Sequence, residues 1–353
     1  MTKNKTRLFS LTQIFAVIFW LIVWFVTSRI INQELILSSP LAVLRKIGEY
    51  ITSSFVIREI KRKYPDIQID VFVGKSSGMK ELLESNKYID NIFIYDRKKK
   101  LDEIRMKKRV LKGSKLNKYD IFFDFSEEIE IKPKQMWFMR RINADINVGY
   151  RKSIYKIYNK NVEDRNERMA DIWEMALEKL NIKNIDKSYD IPLKEESEKN
   201  IEKYFLKNCI KKSIAVNFFG SIDKRKINVD NALVLLKNIR KQYPEFEINI
   251  LDSPVDREKI FEILKEEKIG GIYYYKDTNS IFDAISIIKR SEIVVSPDTS
   301  IVHIAEGFDK KIIAFYEKKE IEKRRYAINE KNKIVVYENE INNLNYDLIN
   351  YSI

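Results

Sequence analysis

Residues 291–316, SEIVVSPDTSIVHIAEGFDKKIIAFY, constrain the fold more than any other stretch. Ile293 to Val295 is a short β-branched run, which suits a strand buried on both faces. Pro297 stops it, and Asp298, Thr299 and Ser300 offer helix-capping side chains. Ile301 to Glu306 fits a short helix closed by Gly307, and Ile312 to Phe315 fits the next strand. Strand, capped turn, helix and strand make an α/β unit whose helix N-terminus has free amides suited to phosphate. His303 is the only histidine in 353 residues. It lies one turn inside the helix, where side chains lean back toward the N-terminus, so its ring shares the loop mouth with Thr299 and Ser300. A packing or capping role for a lone helical histidine is the competing reading.

The same alternation fills most of the chain. Strands are expected at 67–73, 91–95, 119–125 and 145–149, with helices at 79–85, 98–111 and 169–180. After the linker-like segment 188–193, strands are expected at 213–219, 246–251 and 271–275, and helices at 195–210, 229–243, 256–267 and 280–290. Strands separated by helices imply parallel βαβ units. An echo links the halves: Lys61-Arg62-Lys63-Tyr64-Pro65 and Arg240-Lys241-Gln242-Tyr243-Pro244 each end a helix in basic residues and stop it with Tyr-Pro before a strand. A length of 353 residues suits two such lobes, each large enough for a core. The expected division is 1–36, a basic flank and membrane helix; 37–193, a first Rossmann-like lobe; 194–337, a second; and 338–353, a C-terminal helix.

Hydrophobic content of 44%, with 12% aromatic, excludes a mainly disordered chain. The net charge of +13 is spread along Lys-rich helices, which favours acidic partners. No nucleic-acid-binding signature accompanies it, so no nucleic acid is expected as partner. A single cysteine, Cys209, rules out an internal disulfide and any cysteine-based metal site, and no metal site is expected.

The N-terminus differs in character from the rest of the chain. Thr12 to Ile31 carries no charge before Arg29 and includes Trp20 and Trp24. Roughly 20 apolar residues span a bilayer, so a transmembrane helix is expected here. Lys3, Lys5 and Arg7 precede it, which by the positive-inside rule leaves the N-terminus in the cytoplasm and exports the body. Residues 34–49, ELILSSPLAVLRKIGE, resemble the start of an ABC-transporter permease of the nitrate/sulfonate/taurine type. With no further span, the whole chain is not a permease.

Asp298-Thr299-Ser300-x-x-His303-x-Ala305, placed after an apolar strand, resembles the nucleotide-sugar signature of family 9 glycosyltransferases, the lipopolysaccharide heptosyltransferases. The resemblance covers about residues 50–316. It implies a GT-B-like α/β fold, two Rossmann-like parallel-sheet lobes with an interlobe cleft, here preceded by one transmembrane helix. It also implies that Asp298, Thr299, Ser300 and His303 bind the donor's diphosphate. Gly220-Ser221 and the following Lys224 or Arg225 match the family's small-residue loop and phosphate-gripping cation, with no choice between the two by count. Ile47-Gly48-Glu49 resembles the opening loop, with Leu41 to Leu44 as a truncated first strand and Glu49 at the place of the catalytic base. A surface glutamate on a permease-like helix is the other reading. Four departures stand out: Ser300 where many members have Gly, Glu306 where Ala is common, no Gly after Tyr316, and no downstream Trp-Pro. The implied activity is inverting transfer of a heptose or similar sugar from a nucleotide-diphosphate donor, ADP-heptose, to a lipid-linked saccharide acceptor, without cofactor. The implied place is the cytoplasmic face of the inner membrane, which conflicts with the N-terminal charges. The alternative is a non-catalytic nucleotide-binding or composite membrane-tethered protein.

Overall fold

The computed structural model describes residues 47–353 except 76–77, 97–98, 114–118, 125–132, 143, 164–167, 221, 253–255, 267 and 323–331. The expected membrane helix, most of the permease-like segment and the expected strand at 41–44 lie outside the described residues. Among the described residues no helix is long and apolar enough to cross a membrane.

The first half runs α1 (Ile47–Lys63), β1 (Asp70–Gly74), α2 (Met79–Glu84), β2 (Asn91–Tyr95), α3 (Lys100–Gly113), β3 (Ile121–Asp124), α4 (Pro133–Ile142), β4 (Ile146–Tyr150), β5 (Lys160–Val162) and α5 (Met169–Glu178). The second runs α6 (Glu195–Lys207), β6 (Ser213–Val216), α7 (Val229–Gln242), β7 (Glu247–Ile250), α8 (Arg257–Glu266), β8 (Ile272–Tyr274), α9 (Ile281–Arg290), β9 (Ile293–Pro297), α10 (Ser300–Gly307), β10 (Lys311–Glu317), α11 (Lys318–Glu322) and β11 (Asn332–Tyr337). Every strand pairing among the described residues is parallel.

The second half forms a six-stranded sheet in the order β8-β7-β6-β9-β10-β11. Numbered within the lobe this is 3-2-1-4-5-6, the doubly wound order, whose direction reverses between β6 and β9. In the first half, β1-β2 and β3-β4-β5 are separate hydrogen-bonded sheets. They correspond to β7-β8 and β9-β10-β11 of the second half, and the counterpart of β6 is not among the described residues. The Tyr119 hydroxyl spans toward β1, donating to the Asp70 carboxylate at 2.8 Å.

Each half has buried apolar clusters of its own. Leu235, Ile239, Ile248 and Phe315 belong to the second, and Phe55, Trp173 and Leu177 to the first. A further core is common to both. It joins Tyr50 and Ile51 of α1 and Leu82 and Leu83 of α2 to Ile285 of α9 and Ile304 of α10. Two apolar faces on α1 make this possible, since Tyr50, Ile51 and Ile57 enter the shared core while Phe55, Val56 and Ile60 enter the first lobe's. Separate cores were the expectation from length alone. The shared one ties the lobes together, and the described residues fall in a single compact unit.

Two elements depart from the sequence-based expectation. The C-terminal segment is not an α-helix: Ile341–Asn343 and Tyr346–Leu348 are isolated 3₁₀ turns. Asn345 accepts a hydrogen bond from the Asp347 amide, as asparagine does when it competes with helix. Ile341, Tyr346 and Tyr351 instead dock into the second lobe's core at a spacing that no helix face provides. Gly307, expected to close α10, is its last residue. A β-carbon there would stand 2.6 Å from Ile191 Cδ1, so its lack of side chain admits the interlobe linker.

Candidate functional site

In an open parallel sheet, ligands bind beyond the carboxyl ends of the strands where the strand order reverses. Here that point lies between β6 and β9, and both sequence-selected segments emerge from it. The chain leaves β6 as Asn217 to Lys226 and leaves β9 as Asp298 to Ser300. Asn217 joins them. Its amide donates to Val295 O at 2.9 Å, and its side-chain Nδ2 donates to Ser296 Oγ at 3.0 Å and Thr299 Oγ1 at 3.3 Å. The strand expected to reach Phe219 therefore ends at Val216, because Asn217 diverts the chain into a loop braced against β9.

Thr299 caps α10, its Oγ1 accepting from the Ile301 amide at 3.2 Å. Asp298 does not cap. Its amide donates to Phe315 O, and its carboxylate faces Arg225 Nη1 at 2.7 Å. Arg225 Nη1 also donates to the Asp298 carbonyl at 3.2 Å, while Nη2 stands 3.6 Å from Glu320. The turn at Gly220 folds tightly enough that a β-carbon there would meet Arg225 Cβ at 2.5 Å. Ser221 lies outside the described residues.

This separates the two cations left open by counting. Arg225 is spent inside the protein, fixing the Asp298 loop. Lys224 stands on the short 3₁₀ turn Asp223–Arg225, its side chain 32% exposed, with Nζ 2.7 Å from Glu317 Oε2. Lys319 holds the other carboxylate oxygen at 2.8 Å. Burial pushes the Glu317 carboxyl up, but the hydrogen bonds from Lys224 and Lys319 outweigh it and hold the group below its usual range. The Tyr337 hydroxyl is buried beside this cluster with no hydrogen-bond partner among the described residues. Burial, opposed by Arg225 and reinforced by the nearby carboxylates, pushes its phenol up to about 12. Asn217, Glu317, Lys319, Glu320 and Tyr337 are not singled out by the sequence alone. The detectable signals are a polar residue ending an apolar strand and a glutamate where the resemblance implies glycine.

His303 projects from the first turn of α10 toward the first lobe. The space a β-carbon would need on Gly48 is taken by its ring, with Cδ2 at 2.8 Å and Nε2 at 3.4 Å. Nδ1 points the other way, 3.9 Å from Glu306 Oε2, and has no hydrogen-bond partner among the described residues. Glu49 follows Gly48 in the first turn of α1. Gly48 and Glu49 are thus helical rather than part of an opening loop, the Gly48 backbone lies beside the histidine, and the Glu49 side chain is outside the described part of the structure. Glu306 also contacts the linker, where burial first, then the Glu306 charge, pushes the Tyr189 phenol strongly up. Among the described residues, no group of three or more His, Cys, Asp or Glu side chains is placed to hold a metal ion.

No protein-family model and no curated protein matches the chain. Solved structures do. A glycosyl transferase family 9 protein from Veillonella parvula DSM 2008 is similar at TM-score 0.65 and 16% identity, over 84% of each chain. The fold is that of family 9 glycosyltransferases. E. coli ADP-heptose lps heptosyltransferase II shares it at TM-score 0.59 and 15% identity, over 83% of this chain and 88% of that one. E. coli heptosyltransferase WaaC, solved with ADP-2-deoxy-2-fluoro heptose, shares it at TM-score 0.60 and 13% identity, over 86% of this chain and 94% of that one. At these identities the likeness is one of fold.

Proposed function

We propose that this chain is a glycosyltransferase that moves a heptose or similar sugar from a nucleotide-diphosphate donor, ADP-heptose, to a lipid-linked saccharide such as a lipopolysaccharide core. The observation carrying the reading is the meeting of the Asn217–Lys226 loop with the capped start of α10 at the reversal point of a doubly wound sheet. The α10 amides and Lys224 suit a diphosphate, with Thr299, Ser300 and His303 around it and Asp298 held in place by Arg225. In the reaction, the acceptor hydroxyl gives its proton to Glu49 and its oxygen bonds the sugar's anomeric carbon. The bond from that carbon to the donor phosphate breaks, and the nucleoside diphosphate leaves with the electron pair, inverting the centre. The contact between Gly48 and His303 supports this division of roles, because it sets the first turn of α1, where Glu49 stands, against the donor helix. Attachment to the inner membrane, with the transferase lobes on the cytoplasmic face, is part of the same proposal.

Titration of the purified chain with ADP, followed by sugar release from ADP-heptose with a lipid-linked acceptor, tests it. Binding with turnover supports the transferase. ADP binding without turnover on any acceptor, unchanged in Glu49→Gln, supports a nucleotide-binding protein instead. Absence of binding rejects both.

A further inference from the structure

Glu317 is the last residue of β10, and only 5% of its side chain is exposed. Each of its carboxylate oxygens faces one ammonium group, Lys319 at Oε1 and Lys224 at Oε2. Two cations gripping the two oxygens of one anion is also how a phosphate group is held. We propose that Glu317 is an internal stand-in for a donor phosphate, occupying Lys224 until a nucleoside diphosphate displaces it and thereby setting how tightly the site holds its donor. The inference rests on reading the loops after β6 and β9 as the donor site.

Three features carry it. The pair is unequal, since Glu317 is fixed at a strand end and buried whereas Lys224 stands on a short surface turn with its side chain a third exposed. Lys224 is therefore the partner free to swing. Its departure leaves no stranded charge, because Lys319 stays on Glu317. Arg225 has no such freedom: releasing it would strip the guanidinium from the largely buried Asp298 carboxylate. Finally, among the described residues the cluster holds the cations Lys224, Arg225 and Lys319 and the anions Asp298, Glu317 and Glu320, and these six groups together carry no net charge toward a diphosphate. Neutralising Glu317 turns it positive.

The test is calorimetric titration of the full chain with ADP and, separately, inorganic pyrophosphate, which distinguishes a nucleotide site from a bare anion site. Glu317→Gln should tighten both by about tenfold, equivalent to about 1.4 kcal/mol, and the double variant with Lys224→Met should lose that gain. Lys319→Met, a surface change that leaves Glu317 to Lys224 alone, should weaken both and supplies a readout should Glu317→Gln fold poorly. If the wild type binds ADP and Glu317→Gln binds equally or more weakly, the stand-in role is overturned and the donor-site reading survives. If neither protein binds ADP or pyrophosphate, both are overturned. Pyrophosphate tightening without ADP tightening also overturns it, since the exchange then belongs to an anion other than the donor.

Discussion

Gly48 and His303 meet so closely that no side chain fits between them: a β-carbon on the first would stand 2.8 Å from Cδ2 of the second. The contact lies between two helices from opposite ends of the described chain. Gly48→Ala should therefore destabilise by about 1–3 kcal/mol, the usual scale for overpacking. In a His303→Ala background the cost should largely vanish, so a double-mutant cycle by urea unfolding measures the contact directly. An equal cost in both backgrounds would place the strain elsewhere.

His303→Ala alone should weaken ADP binding about tenfold, the scale of one lost contact to a charged group, while the melt stays cooperative. A protein that loses its cooperative melt yet keeps ADP affinity per folded molecule would make the histidine structural.

Lys224 and Arg225 should part company on substitution. Arg225→Met takes the guanidinium from a largely buried carboxylate and should cost about 3 kcal/mol or more of stability. Lys224→Met breaks a partly exposed pair and should cost at most about 1 kcal/mol, its effect falling on ADP affinity. Urea unfolding read beside the binding titration separates them.

Thr299→Ala removes the α10 cap and should cost about 1 kcal/mol, whereas Thr299→Ser keeps the capping oxygen and should retain most of it. Thermal melts of the two variants check this, and similar losses in both would assign the effect to the methyl group.

High pH should destabilise the fold through its buried phenols. Tyr50, Tyr274 and Tyr337 ionise near 10 when unfolded, and in the fold burial is the main cause raising each to about 12. Tyr50 also accepts a hydrogen bond from Asn86. A phenol with a raised folded pKa contributes stability that is complete below pH 10 and lost as pH climbs toward 12. Unfolding free energy should be flat up to about pH 10 and then fall, and Tyr50→Phe should shallow that fall.

Much of this architecture was legible because local and global signals agree. The strand at 91–95 and the unit from Ile293 to Phe315 are set by β-branched runs between strong stops, and the structure keeps them within two residues. The helix at 133–142 and strand at 160–162 were not expected, the first because its apolar residues Met136 to Met139 form one short unbroken run that does not tell helix from strand, the second because only three residues pair. In the site, Thr299 was readable as a cap from its position after Pro297. The partners of Lys224 and Arg225 were not, since Glu317 ends β10 and Asp298 follows β9, and no local spacing encodes their contacts with the loop after β6.

The core shared by the two lobes has a consequence for biosynthesis. Tyr50, Ile51, Leu82 and Leu83 have first-lobe neighbours such as Val71 and Met79, but their core is complete only once Ile285, Ile301 and Ile304 have been made. At ordinary elongation rates those early side chains wait on the order of tens of seconds while most of the protein is translated. The first lobe thus leaves the ribosome with one face uncovered, and a chain interrupted before α10 should be a client for chaperones rather than a folded half.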